Sequence, residues 1–418
     1  MRYIFIILTA VITSFFFFPF EFTFLRGPNT KMMVAAVGLL LAGWQMVKKK
    51  DGKISKDFFI TSVIATVFSL VVFYSIVYNN TDDYAYTSYV VSMWVWFFAA
   101  YVCCFLIAQL HGNISVKLVA DYLIAISAFQ CIIALMIEYI PAVKSAVDAY
   151  VVRPDNVLEE RLYGIGAVLD VAGGKFSTVL LMVAVIMCNN DIVKSNWKSL
   201  ATYSFGFILI SVIGSMIART ANIGMLLGLA YIIYRTGIWR LHIKYSTLKF
   251  WRVLTGMGFV LVVACVYFYN TSPIFQEWLR FGFEGFFNLV EKGKWETSST
   301  EILQDMIVFP ESFKTWMIGD GRMVDPTTGK YYMGSDIGYV LFIFHCGIIG
   351  LSVFASMFVY LTISCYKKFS QERHLFLLLL IFVFVYWTKV ATDIFLVYAV
   401  FLCIPMVQKH KNNQMERI

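Results

Sequence analysis

Charged side chains are scarce in this chain. Asp, Glu, Lys and Arg make up 14% of its 418 residues, whereas 60% are hydrophobic, and the mean hydropathy is +0.73. A soluble globular domain carries about 25% charged residues, so this chain has too little polar surface to cover a core in water. The scarcity of charge excludes a soluble globule and indicates a polytopic membrane protein.

Cysteine pairs and histidine clusters are also missing. The eight cysteines all lie within or at the edge of apolar runs without a CxxC pair, which predicts buried thiols and no disulfide or zinc framework. His345 is the one histidine that lies inside an apolar run, and we interpret it as a buried packing or hydrogen-bonding residue. We predict no metal and no cofactor, although a Mg²⁺ held by carboxylates would leave little trace in a sequence.

Twelve apolar runs are long enough to cross a bilayer core of about 30 Å. The first run is longer than the hydrophobic part of a signal peptide and has no small-x-small cleavage site, so we predict a retained helix. The fold class we predict is all-α, a single polytopic membrane domain of residues 1–418 with about twelve transmembrane helices. Because several runs are short, eleven or thirteen helices are alternatives. The runs cover residues 3–20, 32–47, 58–78, 88–110, 117–140, 174–189, 198–218, 219–235, 251–269, 337–366, 374–390 and 393–408.

Basic residues concentrate in alternate connections between these runs. By the positive-inside rule this distribution places both termini in the cytoplasm. The net charge of +8 is therefore a topology signal, and its short clusters do not indicate nucleic-acid binding. Two substantial loops then lie on the outer side, residues 141–173 and residues 270–335, and we expect the function there.

The second outer loop has a helical pattern of its own. Apolar side chains recur at spacings of three and four from Phe275 to Val290, which predicts an amphipathic helix on the outer membrane surface. Its aromatic side chains either border a groove for a lipid tail, stack on sugar rings, or pack in the membrane without a further role. Ser298 and Glu301 form a capping-box pattern that predicts a second helix.

Two arginines of the outer side are candidate anion ligands. Arg219 lies at a hinge between two apolar runs, where it is either an interfacial anchor or a fixed cation for an anionic ligand. Arg161 precedes Gly164 and Gly166 and a helix that we expect to open at Gly173, whose free N–H groups suit phosphate oxygens. Formation of a simple turn explains the paired glycines equally well.

The end of the long loop holds candidate acids and a third arginine. The turn Gly319-Asp320-Gly321-Arg322 is predicted to present Asp320 and Arg322 together. Asp336 precedes the next membrane helix and is either its N-cap or a carboxylate that accepts a proton. No apolar run has a charged residue at its middle, which counts against an ion-coupled transporter.

The order of these features resembles the O-antigen polymerase (Wzy) family, within the polymerases and ligases that use polyprenyl-linked sugars. That family has a comparable set of helices, an arginine at an outer helix turn and a large late outer loop. The similar segments are short, and their order is the specific part. They are Arg161-Leu162-Tyr163-Gly164, Ala218-Arg219-Thr220, Phe281-Gly282-Phe283-Glu284, Ser298-Ser299-Thr300, Gly319-Asp320-Gly321, Ser335-Asp336-Ile337-Gly338-Tyr339 and Gly347-Ile348-Ile349-Gly350.

The resemblance implies a GT-C-like glycosyltransferase that joins oligosaccharide repeat units carried on undecaprenyl diphosphate, at the periplasmic face of the bacterial inner membrane. On this basis we expect Arg161, Arg219 and Arg322 to bind the diphosphate. Asp336 is the expected base, with Glu284 or Asp320 as substitutes. The expected partners are the lipid-linked oligosaccharide, as donor and acceptor, and the bilayer, and a chain-length regulator is a further candidate.

Two other functions stay open at this point. Related O-antigen ligases, which transfer glycan to lipid A core, usually carry a histidine in the late outer loop, and this loop has none. A flippase or transporter for the lipid-linked unit would place its cations in a central cavity, whereas these arginines concentrate on the outer side. The sequence therefore favours a polymerase.

Overall fold

Helices form most of the chain, and no β-strand occurs among the residues described. The computed structural model describes residues 1–49, 55–152, 161–237, 245–297 and 306–415. Residues 298–305, which carry the predicted capping box, lie outside this set. The helices are α1 Arg2–Phe17, α2 Thr30–Lys49, α3 Lys56–Tyr78, α4 Tyr89–His111, α5 Val116–Tyr139, α6 Pro141–Tyr150, α7 Leu169–Asn189, α8 Asp191–Ser195, α9 Trp197–Ile217, α10 Ala221–Thr236, α11 Tyr245–Thr271, α12 Pro273–Gly282, α13 Glu284–Lys292, α14 Phe313–Ile318, α15 Gly338–Lys368, α16 Arg373–Tyr386 and α17 Phe395–Met415.

Each of the twelve predicted apolar runs lies largely within one of these helices. Within the described ranges, eight helices are long and apolar enough to cross a membrane, namely α2 to α5, α7, α9, α11 and α15. Shorter apolar helices occur at Arg2–Phe17, Arg373–Tyr386 and Phe395–Gln408. An all-helical, membrane-embedded, polytopic protein is thereby confirmed, while twelve crossings and a GT-C-like arrangement stay predictions.

Helix α7 lies at the centre of the bundle, and from Ala172 to Cys188 all its residues are buried. An apolar membrane helix can face either lipid or other helices, and here neighbouring helices cover α7. The helix begins at Leu169, not at Gly173 as the sequence predicted, so Gly173 and Gly174 lie inside its second turn. There they permit close packing, because a Cβ on Gly174 would come within 2.6 Å of the Tyr386 hydroxyl.

Helix α15 is broken at Gly347, whose φ of +66° interrupts the helical hydrogen bonds. The freed carbonyl of Phe344 accepts the backbone N–H of Asp320 at 2.5 Å, and the carbonyl of His345 accepts the Ser75 hydroxyl at 2.8 Å. Such replacement partners are what non-helical backbone requires at membrane depth. The short helix α14 and the turn after it therefore pack into the break.

The structure confirms that His345 is a buried residue. Its side chain is fully covered, and its Nε2 lies 2.8 Å from the carbonyl oxygen of Ala85. Seven of the eight cysteines are buried as well, and Cys265 is partly exposed. These side chains belong to the packed interior.

The connections predicted to lie outside the cell meet at one end of the bundle, termed the loop-rich end. It comprises the connections α1–α2, α3–α4, α5–α7, α9–α10, α11–α15 and α16–α17. Hydrogen bonds join them, including Val152 N–H to the Glu21 carbonyl at 2.9 Å, Met323 N–H to Asp83 Oδ2 at 2.6 Å and the Tyr86 hydroxyl to the Ala391 carbonyl at 2.7 Å. The loops thus form one continuous layer, and the side of the membrane that it faces stays a prediction.

Gly347→Ala is expected to destabilise the fold. The new Cβ would meet the Met317 carbonyl oxygen at 2.1 Å, and alanine would also be strained at a φ that only glycine adopts readily, for a total of at least about 2 kcal/mol. The measurement is thermal unfolding of purified protein in lipid nanodiscs. Gly256→Ala is the matched control, because a Cβ there has no neighbour within 4 Å. Equal unfolding temperatures for the two variants would contradict this account of the break.

Candidate active site

Arg219 lies in the three-residue hinge between α9 and α10, at the loop-rich end. Its Nη1 is 2.7 Å from Oε2 of Glu284, and the two side chains are 21% and 24% exposed. The guanidinium carbon also lies 4.1 Å from the centre of the Phe281 ring, a cation–π contact. Arg219 is thus held by protein groups on two sides, which an arginine that only anchors the helix to the lipid surface does not require.

Glu284 reaches the hinge because the predicted amphipathic helix is broken. The sequence predicted one helix from Phe275 to Val290, and this prediction is wrong, since α12 ends at Gly282 and α13 begins at Glu284. The Asn222 side chain donates to the Gly282 carbonyl at 2.7 Å, and a Cβ on Gly282 would lie 3.0 Å from the backbone of Ser215. The close contact with the hinge turns the chain and directs Glu284 towards Arg219.

Aromatic residues of α12 divide into two groups. Phe275 and Trp278 are buried in the hydrophobic core, so ordinary packing accounts for them. Phe281 instead lies at the site and contacts two arginines. Phe281 is therefore the aromatic residue of α12 that belongs to the candidate site.

Arg161 lies against the same ring as Arg219, with its guanidinium carbon 4.9 Å from the centre of Phe281. Burial lowers the pKa of Arg219, Glu284 opposes this effect, and the positive charge of Arg161 adds to it. Two guanidinium groups that share one ring repel each other. An anion placed between them would relieve that repulsion, so the pair has the character of an anion site.

Lys389 and Asp170 join this cluster, and the sequence analysis did not predict either of them. Lys389 lies in the turn between α16 and α17, where burial lowers its pKa, Asp170 and Asp336 raise it, and Arg219 and Arg161 lower it. The side chain of Asp170 accepts the Thr220 hydroxyl at 3.3 Å. A lysine at a helix end and an acid in a first turn are common in membrane proteins, so no local signal distinguished them.

Asp336 is half-buried beside Lys389. Burial raises the pKa of its carboxyl group, Lys389 lowers it, and Asp170 raises it further. The N-cap position of α15 is occupied by Ile337, whose N–H bonds to the Ser335 hydroxyl at 3.3 Å. Asp336 is therefore not the N-cap, and its carboxyl group remains near the cations.

Asp320 and Arg322 lie among a different set of residues. The Asp320 carboxylate accepts the Thr315 hydroxyl at 2.7 Å and pairs with Lys314 at 3.0 Å. Both Asp320 and Arg322 act electrostatically on the pKa of Tyr332. The contacts described for these two residues do not extend to Arg219 or Asp336, and their catalytic and diphosphate-binding roles stay predictions.

The site contains carboxylates and cations without a metal-ligand cluster. Over the described ranges of the chain, no group of three or more His, Cys, Asp and Glu side chains is arranged to hold a metal ion. What the cluster offers is positive charge from Arg161, Arg219 and Lys389 next to the half-buried acid Asp336. This combination can bind an anion and accept a proton from a hydroxyl beside it.

Glu284→Gln is expected to lower the free energy of unfolding by roughly 1–2 kcal/mol, because it removes the carboxylate that pairs with a partly buried arginine at 2.7 Å. Glu291→Gln is the matched control on the same helix. Glu291 pairs with Arg280, but these side chains are 42% and 44% exposed, and exposed pairs contribute less than about 1 kcal/mol. Denaturant unfolding of both variants tests the difference, and an equal loss would contradict the positioning of Arg219 by Glu284.

Searches against protein-family models, curated proteins and solved structures returned no match to this chain.

Proposed function

We propose that this protein is a glycosyltransferase that polymerises oligosaccharide repeat units carried on undecaprenyl diphosphate. The observation that carries the proposal is the cluster in which Arg161 and Arg219 share the Phe281 ring, close to Lys389 and Asp336. The resemblance in motif order to O-antigen polymerases supports it. The product would be O-antigen, capsular polysaccharide or exopolysaccharide, made at the periplasmic face of the bacterial inner membrane with both termini cytoplasmic.

The cations would act on the leaving group. As the bond between the anomeric carbon and the lipid diphosphate breaks, negative charge develops on the phosphate oxygens. Fixed cations in a site shielded from water lower that barrier by neutralising the charge as it forms. Arg161 and Arg219 are suited to this role because a guanidinium can donate two parallel hydrogen bonds to one phosphate. Arg322 is a third candidate from the neighbouring turn.

Asp336 would accept the proton. The hydroxyl oxygen of the acceptor sugar attacks the anomeric carbon, the bond from that carbon to the diphosphate oxygen breaks, and the hydroxyl proton passes to the Asp336 carboxylate. The lipid diphosphate leaves with the bonding electron pair, and the anomeric centre is inverted. The reaction requires no nucleotide sugar and no redox partner.

Glu284 is less suited to act as the base. Its carboxylate is already occupied by the guanidinium of Arg219, 2.7 Å away. We assign Glu284 the role of holding Arg219 in place. Asp320 has a comparable limitation, because Lys314 and Thr315 already contact its carboxylate.

Arg219→Ala is expected to leave the protein inserted in the membrane but to reduce long-chain polysaccharide at least about 100-fold, the usual effect of removing a group that stabilises charge in the transition state. Lipid-linked single repeats should accumulate. Arg219→Lys should fail as well, because an ammonium cannot donate two parallel hydrogen bonds. Gel analysis of the glycan ladder is the measurement. Arg280→Ala, on the exposed side of α12, is the control, and normal ladders from Arg219→Ala would remove that residue from the site.

The pH dependence of polymerisation tests Asp336. A base must be deprotonated to act, so the rate is expected to fall as the pH drops through the pKa of Asp336, which burial raises above the usual value of about 4. Lys389 lowers this pKa, so Lys389→Met should move the acidic limb of the rate profile to higher pH as well as slow the reaction. Lys330→Met, an exposed lysine of the same loop layer, should keep the original limb. An unmoved limb in Lys389→Met would count against Asp336 as the base.

Assays with purified protein separate this proposal from its alternatives. A polymerase lengthens the glycan when supplied with lipid-linked repeats alone. A ligase requires lipid A core as the acceptor, and a flippase only moves the lipid-linked unit between leaflets.

A further inference from the structure

A second polar site lies about one helical turn below Asp170, inside the bundle. It is a cavity of about 70 Å³ between α4, α7, α16 and the start of α17. A water molecule needs about 10–15 Å³ of such space, so the cavity has room for several waters or for a small oxyanion. Its polar and aromatic lining comprises Trp96, Lys175, Tyr386, Thr392 and Asp393.

Lys175 contributes a buried amino group to this cavity. The residue is 4% exposed, and its ammonium nitrogen lies 5.5 Å from the centre of the Phe18 ring and 6.0 Å from that of Trp96. Among the residues that the structure describes, no acceptor forms a hydrogen bond or ion pair with this ammonium group. A buried ammonium without an acceptor is destabilising by several kcal/mol, and an anion in the cavity would supply the acceptor that the protonated lysine lacks.

A second lysine lies on the same tryptophan. The ammonium nitrogen of Lys31 is 4.0 Å from the centre of the Trp96 ring. The nearby carboxylate is Asp393, which is held at the start of α17 because its Oδ1 accepts the Phe395 N–H at 2.7 Å. Within the described part of the chain no ion pair joins Asp393 to Lys31 or Lys175. With both lysines protonated, two cations would face one acid in and beside the cavity.

We propose that this cavity binds a phosphate-type anion and that Lys175 is its contact cation. The cavity adjoins the Arg219 cluster, because the Tyr386 hydroxyl that lines it donates to the Asp170 carbonyl at 2.6 Å. Val171 also lines the cavity, and this residue is exposed at the surface of the protein. The anion is either free phosphate or the headgroup of a lipid diphosphate. Only the second source rests on the proposed function.

The test uses the full chain in lipid nanodiscs and measures thermal unfolding at constant ionic strength. The probes are inorganic phosphate and farnesyl diphosphate, each titrated against wild type, Lys175→Met and the control Lys194→Met, which removes an exposed lysine. A ligand that binds only the folded state raises the unfolding temperature in a saturable way. We expect this rise in wild type and control, with at least a tenfold weaker half-saturation in Lys175→Met.

Lys175→Met should fold, because replacing an unpaired buried charge by an apolar side chain of similar length is often stabilising. Should it fail to fold, Lys31→Met, which removes the second ammonium group over Trp96, is expected to weaken binding in the same direction. A shift with inorganic phosphate that depends on Lys175 supports a free-anion site, and one with farnesyl diphosphate alone supports the lipid headgroup. Unchanged half-saturation in both lysine variants, or no saturable shift in wild type with either probe, would overturn the proposal.

The outcome is independent of polymerisation. If Arg219→Ala were to give normal glycan ladders, the proposed function would fall, but a phosphate shift that depends on Lys175 would still establish the anion site. Conversely, Arg219→Ala could lose the ladders while Lys175→Met binds phosphate as wild type does. That result would support the proposed function and overturn the anion site at Lys175.

Discussion

The ion pair between Arg219 and Glu284 connects the membrane bundle to the layer of loops above it. A charged side chain near lipid is destabilising by at least a few kcal/mol unless it is paired or reaches water. Arg219 meets this requirement through a carboxylate that belongs to a helix outside the bundle. The ion pair with the Arg219 guanidinium therefore fixes the position of α13 relative to the α9–α10 hinge.

Neutral contacts make that pair possible. Asn222, the second residue of α10, donates to the Gly282 carbonyl. The chain turns at Phe283, so that Glu284 points back to the hinge. A comparable arrangement occurs at Gly347, where the break in α15 leaves carbonyls that Ser75 and Asp320 satisfy. In both places a glycine allows the backbone to come close to another helix, and a polar partner satisfies the freed carbonyl group.

Environment, and not residue type, separates the roles that we propose for the acids. Glu284 is paired with an arginine, Asp320 is bound by Lys314 and Thr315, and Asp336 is raised in pKa by burial. Three carboxylates that look alike in the sequence thus differ in which groups contact them. The cations also differ in their surroundings, since no acceptor contacts the buried Lys175 among the residues described, whereas Arg219 is paired with Glu284.

Local pattern determined much of what this chain forms. Runs of apolar residues predicted the helices, and the alternation of basic connections predicted which loops share one end, because hydrophobicity and charge are properties of short segments. Arg161 and Arg219 stood out as cations since charge is rare in this sequence. Tertiary structure alone decided that both contact Phe281, that α12 ends at Gly282, and that Asp170 and Lys389 join the cluster while Asp320 and Arg322 lie among other residues. Those relations join residues that are far apart in the chain, such as Asp170 with Thr220, and packing between helices creates them without leaving a signal in any one segment.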